Sequence, residues 1–168
     1  MLKTEFELVS LPLADEFTIS RRTQMTAENV VVRITDDAGT TGVGAAAPAT
    51  HYGETAATVE AVLPDLLSVV ESVDDPHAHQ RIERERREVV RDNPAAHAAV
   101  DIALHGLAAK RLKIPLYRQW GLDPDATPKT SYTVGLDSTD RMREKAAEAV
   151  GAGHDVLKVK LGTDRDVE

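Results

Sequence analysis

The feature that most restricts the fold of this chain is a strand, a helix and a second strand in close succession near its end. They are "TSYTVGL" (130–136), "STDRMREKAAEAVGAG" (138–153) and "DVLKVKL" (155–161). Short connections between such segments predict a βαβ unit with two parallel strands. A parallel pair needs both faces covered, usually in a doubly wound sheet or a (β/α)8 barrel. The chain stops at "GTDRDVE", and we expect it to be cut off within such an architecture.

The preceding part of the chain has a different pattern. Residues 2–11, 28–36 and 40–47 read as strands of a small antiparallel meander, the last two joined by the turn sequence "DDAGT". Residues 54–112 then follow helical periodicity in three segments. In the third, Asn93 is the expected N-cap and Pro94 the first helical residue. Helical spacing predicts a buried stripe made of Val100, Ala103, Leu104, Leu107 and Ala108.

Composition limits the classes of partner. The chain has 168 residues, no cysteine and a formal net charge of −8. Without thiols, a metal would need oxygen or imidazole ligands. The negative charge argues against nucleic acid and anionic membranes, and favours a small-molecule or protein partner. The start "MLKTEFELVSLPL" does not resemble a signal peptide and no apolar run could span a bilayer, so the cytoplasm is the expected compartment.

Two lysines stand out in the last predicted strand. Lys158 and Lys160 flank Val159, so their side chains leave the same face of the strand about 6.6 Å apart. Such a pair is expected on an exposed edge strand, where lysines discourage aggregation. It is also expected where two like charges act together in a site.

Two other patterns suggest sites but have simpler explanations. "GVGAAA" matches a loose dinucleotide-binding pattern, yet Pro48 follows directly and no suitable helix begins there. His97, Asp101 and His105 lie along one side of the third helix, as metal ligands could. They also border its apolar stripe, and we expect polar residues at a packing interface rather than a metal site.

Four stretches in order give a family resemblance: "LPLADEFTISRRT", "GVGAAAPATHYGET", "AAVDIALHGLAAKRLKIPLYRQWG" and "SYTVGLDSTDRMREKAAEAVGAGHDVLKVKLG". Together they resemble the muconate-lactonizing branch of the enolase superfamily, most closely its dipeptide epimerases. Family members are about twice this length. The resemblance implies an α+β capping domain at 1–115, then the first two strands and first helix of a (β/α)8-type barrel at 116–168.

The resemblance also implies a chemistry. Members remove the proton next to a carboxylate, using a Lys or His base and Mg²⁺. The family's Lys-x-Lys motif matches Lys158 and Lys160, with Lys160 as the base and Lys158 favouring its neutral form and holding the carboxylate. The metal ligands of the family lie on later barrel strands, so we expect none in this chain and predict that these residues alone are inactive. A homo-oligomer is expected of the complete protein.

Substrate-binding positions transfer by the same resemblance. An arginine on a loop after the first strand would bind the distal carboxylate of the substrate. The implied positions are Arg22 for this role, Phe17 and Ile19 for an apolar wall, His51 and Tyr52 on a second loop, and Thr133 after the first barrel strand. Many relatives have Glu in a "GxGE" sequence where this chain has Ala45, so no role that needs a carboxylate there carries over.

The expected function is therefore that of a Mg²⁺-dependent isomerase acting on a small carboxylate, most closely an L-Ala-D/L-Glu dipeptide epimerase. Muconate or chloromuconate cycloisomerisation and o-succinylbenzoate synthesis are alternatives within the family. A non-catalytic binding module is the alternative of another class, if the 168 residues are the full chain.

Overall fold

The computed structural model describes residues 1–19 and 22–162. A three-stranded sheet has the order β1 (Lys3–Ile19), β2 (Arg22–Thr35) and β3 (Thr41–Ala46). β2 and β3 are antiparallel, with Thr35 opposite Thr41 and Val30 opposite Ala46. The predicted hairpin turn is present: Asp36 accepts hydrogen bonds from the amides of Ala38 and Thr40 at 3.0 and 2.8 Å.

The first two strands are much longer than the predicted ranges 2–11 and 28–36. β1 continues through Pro12 to Ile19, and β2 begins at Arg22. A loop is predicted between the first two strands, but most of residues 12–27 belongs to β1 and β2 instead. Proline normally ends a strand, but it is tolerated at a sheet edge, and β1 is an edge strand.

Three helices follow, as predicted: α1 (Ala56–Val73), α2 (His79–Val89) and α3 (Pro94–Leu112). Thr55 caps α1 in a reciprocal capping box with Thr58. Asn93 is the N-cap residue of α3 and Pro94 its first residue, as predicted, but the Asn93 side chain makes no capping hydrogen bond. The buried carboxylate of Glu54 instead accepts from the amide of Ala95 at 2.9 Å.

The main core lies where the helices cover the sheet, and the predicted apolar stripe of α3 is buried. α3 packs directly on β3. A Cβ added at Gly42 or Gly44 would overlap the carbonyl oxygens of Ala103 and Ala99, respectively. The two glycines of "GVGA" therefore let a helix backbone approach the sheet closely, a role that strand periodicity does not reveal.

The rest of the chain forms α4 (Leu116–Gln119), β4 (Ser131–Val134), α5 (Thr139–Gly151) and β5 (Val156–Val159). β4 and β5 form a parallel pair, as the βαβ pattern predicts. Ser138 caps α5, its hydroxyl accepting from the amide of Arg141 at 3.4 Å.

Contacts group the chain into two units. One comprises residues 1–11 and 28–123, and the other comprises 12–27 and 124 onward. The outer half of the β1 and β2 pair thus belongs with β4, α5 and β5, whereas the predicted domains, 1–115 and 116–168, follow chain order. In the described part of the chain, every helix is too short or too polar to cross a membrane.

Candidate functional site

Lys158, Lys160 and Thr133 meet on the parallel sheet of the second unit. Thr133 of β4 pairs with Lys158 of β5, so their side chains leave the same face, and Lys160, two residues on, shares it. Lys160 directly follows β5, and its amide donates to the carbonyl of Val134 at 3.0 Å. Lys158 is exposed and Lys160 is half-buried. The three residues therefore lie at the carboxyl ends of adjacent parallel strands.

The opposite face of this sheet is its packing face. Val134 is 1% exposed and Ala149 of α5 is 4% exposed. Side chains alternate along a strand, so Thr133 and the two lysines lie on the sheet face opposite to that of Val134. The alternation of β4 and β5 thus separates a structural face from a polar one.

Residues 12–27 bring a third element to this sheet. The carbonyl of Thr18 accepts a hydrogen bond from the amide of Leu136 at 3.0 Å. A Cβ at Gly135 would lie 3.3 Å from the carbonyl oxygen of Thr18 and 3.6 Å from the ring of Phe17. Glycine at 135 therefore allows the end of β1 to lie against the end of β4.

A pocket of about 360 Å³ is lined by Phe17 and Thr133, two of the predicted substrate-binding residues, whereas Lys158 and Lys160 do not line it. Sequence reasoning missed the rest of the lining: Leu13, Ala14, Asp15, Glu16, Gln24, Ala27, Tyr132, Gly135 and Lys145. Most of these residues lie in the segment predicted as a loop. The alternating pattern of "ADEFTIS" could have indicated that this segment is a strand.

Lys145 is fixed at this pocket by an acidic partner. Its ammonium lies 3.1 Å from Asp137, and its side chain is only 15% exposed. The pKa of Asp137 is lowered below its ordinary value, first because the amide of Ser138 donates to its carboxylate and second because of Lys145. The carboxylate of Asp137 therefore partly neutralises the charge of Lys145 at the pocket.

The four remaining predicted positions are divided between the two units. Arg22 begins β2 and Ile19 ends β1, but their side chains lie outside the described residues. His51 and Tyr52 belong to the other unit, in a 3₁₀ turn at Thr50–Tyr52. Both are exposed, with ring centroids 4.1 Å apart. Substrate contact by these four residues stays a prediction.

The described residues do not fit a metal site. No group of three or more His, Asp or Glu side chains within 1–19 and 22–162 could hold an ion. His97 is 8% exposed, and its Nε2 bonds to the carbonyl of Val90 at 2.8 Å. This histidine of the α3 trio therefore serves packing.

Comparisons with known proteins identify the family of this chain. The profile of the family described as "Mandelate racemase / muconate lactonizing enzyme, N-terminal domain" matches residues 3–121. An L-Ala-D/L-Glu epimerase of Bacteroides thetaiotaomicron is 39% identical over 168 residues, covering 99% of this chain and 43% of the relative. An L-Lys-D/L-Arg epimerase of Desulforapulum autotrophicum is 37% identical over 161 residues, covering 94% of this chain and 45% of the relative.

A solved structure agrees in fold. The dipeptide epimerase of Enterococcus faecalis, complexed with Mg and the dipeptide L-Leu-L-Tyr, superimposes with a TM-score of 0.86 at 29% identity, covering 95% of this chain and 45% of that one. The prediction of a capping domain with an antiparallel sheet and helices is thereby confirmed. The chain spans a little under half the length of the proteins it matches.

Proposed function

Since the chain belongs to the mandelate racemase / muconate lactonizing enzyme family, we propose that it supplies one side of the active site of a dipeptide epimerase. The observation that carries this proposal is the placement of Lys158, Lys160 and Thr133 on one face, at the carboxyl ends of parallel strands. Catalytic residues of barrel enzymes cluster at these ends.

Lys160 is the proposed base. Its neutral amine takes the proton from the α-carbon next to the substrate carboxylate, and the electrons of the broken C–H bond move into that carboxylate. Return of a proton to the opposite face, from a second base outside this chain, inverts the centre.

Lys158 and the pocket residues hold the substrate in this proposal. The ammonium of Lys158 attracts the carboxylate, while Phe17 and Thr133 contact the substrate beside it. Arg22 is proposed to bind the distal carboxylate of a glutamate residue, which makes L-Ala-D/L-Glu the favoured dipeptide. The curated relatives act on dipeptides with acidic and with basic residues, so the dipeptide class has broader support than this particular substrate.

Mg²⁺ is proposed as the cofactor of the whole protein, with ligands outside this chain. The structure from Enterococcus faecalis is described as complexed with Mg, whereas the described residues here offer no suitable group. We also propose a cytoplasmic, homo-oligomeric protein.

The test is isotope exchange by the full-length protein in D₂O with added Mg²⁺. L-Ala-L-Glu, L-Lys-L-Arg and cis,cis-muconate are incubated separately. Mass spectrometry follows deuterium gain at the α-carbon of each dipeptide, and ultraviolet absorbance follows loss of the muconate diene. Exchange into a dipeptide supports the epimerase. Diene loss alone would support a cycloisomerase, and no reaction with any of the three would favour a binding module.

A further inference from the structure

A second cavity lies between α2 and α3, in the other unit from the lysine pair. Its volume is about 600 Å³, within the range of small-molecule sites. It is lined by His79, Gln80, Glu83, Arg86, Arg87, Arg91, Asp92, Pro94, His97, Ala98, Asp101 and His105. Most of these side chains are polar or charged, so the cavity differs from an apolar packing defect.

Arg86 is the most deeply buried of these residues, with a side chain only 2% exposed. One guanidinium nitrogen, Nη1, donates to the carbonyl of His97 at 2.9 Å. Another, Nη2, lies 3.7 Å from the carboxylate of Asp101, which is 48% exposed. The third, Nε, is buried and has no hydrogen-bond partner in the described part of the protein. A buried cation is thus left with one free donor.

Two stacked imidazoles add further unused polar atoms. The rings of His79 and His105 lie 4.0 Å apart and nearly parallel, at 12°. Both ring nitrogens of His79 and Nδ1 of His105 are buried without a partner among the described residues. Together with Nε of Arg86, four buried nitrogens lack partners around one cavity. A buried polar atom without a partner is destabilising, and native structures contain few of them.

We propose that this cavity binds a small oxyanion, held by the guanidinium of Arg86 and by the imidazoles of His79 and His105. An oxyanion offers several acceptors to these nitrogens, and charge-assisted hydrogen bonds of this kind are strong. A metal ion is a poorer occupant. No three described metal-binding side chains converge, and Arg86 would repel a cation.

Anion binding in this cavity should depend on the protonation of its histidines, because several charged groups surround His79. Burial lowers the pKa of His79, and His105 and His77 lower it further, whereas Asp101 and Asp75 oppose them. A bound anion would add negative charge beside the imidazole of His79 and favour its protonated form, in which both ring nitrogens are donors.

The charged groups around the two histidines are already paired with other residues. On α2, Glu83 is paired with Arg87 at 3.0 Å. On α3, the carboxylate of Asp101 lies 3.7 Å from Nε2 of His105 and is shared with Arg86. His97 uses its Nε2 on Val90, as described above. The site therefore binds its anion more tightly as pH falls through the histidine range.

The experiment titrates the full-length protein with sulfate by isothermal calorimetry at about pH 6 and about pH 8, replacing chloride at constant ionic strength. Sulfate keeps its charge across this range, so a change in affinity reports on the protein. Acetate titrated in parallel separates a carboxylate site, which takes both anions, from a site for phosphate-like anions, which takes sulfate alone.

We expect sulfate to bind at least about tenfold more tightly at the lower pH. His79→Gln and His105→Gln should remove most of this difference, while His154→Gln, in the other unit, should keep it. Arg86→Lys should weaken sulfate binding at both pH values; if that variant does not fold, the histidine variants still decide. No binding at the lower pH, or equal binding by all histidine variants, would overturn the proposal.

Discussion

Thr133 of β4 lies directly opposite Lys158 of β5 in the parallel sheet. Their side chains therefore share a face, which Lys160 joins because it is two residues further along the same strand direction. Because side chains alternate along β5, both lysines point away from the sheet face on which Val134 is buried. The proposed chemistry depends on this register, since a shift of one residue would turn both lysines toward α5.

The close approach of β3 and α3 predicts a large effect from a single methyl group. Gly44→Ala should lower the free energy of unfolding by about 1–3 kcal/mol or more, because the new Cβ overlaps the carbonyl of Ala99. Gly151→Ala is the control, since a Cβ there meets nothing within 4 Å. Urea unfolding followed by circular dichroism measures both. Equal stability of the two variants would contradict the packing described.

The cap of α3 gives a second prediction. Glu54→Ala should destabilise the protein by about 1 kcal/mol, because the amide of Ala95 loses its acceptor near the positive end of the helix dipole. Glu88→Ala, at an exposed position of α2, should change stability by less than about 0.5 kcal/mol. Thermal unfolding of both variants provides the comparison. A Glu54→Ala variant that is as stable as Glu88→Ala would contradict the cap.

Buried His97 should make stability depend on pH. Its pKa is lowered, chiefly by burial, against the opposing effect of the hydrogen bond to Val90. A histidine with a lowered pKa binds protons more weakly in the folded state than in the unfolded state. Its contribution to stability is therefore complete above the unfolded value of about 6.5 and is lost as pH falls below it.

The measurement is the urea midpoint between about pH 5 and about pH 8. The midpoint should fall on the acid side, and His97→Gln should flatten that fall. His77→Gln, at an exposed position, should leave it unchanged. A midpoint in His97→Gln that follows the wild-type curve would show that other groups cause the dependence.

The contact between the end of β1 and the end of β4 predicts a graded response at Gly135. A Cβ 3.3 Å from the carbonyl of Thr18 requires only a small adjustment, so Gly135→Ala should be mild. Gly135→Val should displace residues 17 and 18 and free the amide of Leu136. Hydrogen exchange by NMR should then be faster for Leu136 in the valine variant than in the alanine variant. Equal protection in both would contradict the contact.

The sequence predicts the parts of this protein that depend on local pattern. Helical spacing is enough for α3 and its buried stripe, and short connections are enough for the parallel pairing that brings Thr133 beside Lys158. The extent of β1 is not predictable in the same way, because Pro12 signals an end unless the strand is known to lie at an edge. Strand pairing with β2, which is a tertiary property, overrides that local signal.

The two proposed sites also differ in how far the sequence predicts them. Lys158 and Lys160 are two residues apart in the sequence, and their shared face follows from strand geometry alone. The unpartnered nitrogens of Arg86, His79 and His105 come together only when α2 packs on α3. In the sequence they lie within a charged run and along an apolar stripe, where each has an ordinary explanation.

Isotope exchange with a Lys160→Ala variant of the full-length protein tests the proposed removal of the α-proton by Lys160. Each epimer of the dipeptide substrate is incubated separately in D₂O. Lys129→Ala is the control, since this exposed lysine pairs with Asp155 at 2.6 Å. Lys160→Ala should lose exchange from one epimer by at least about 100-fold, while Lys129→Ala retains it. Undiminished exchange from both epimers by Lys160→Ala would contradict the account.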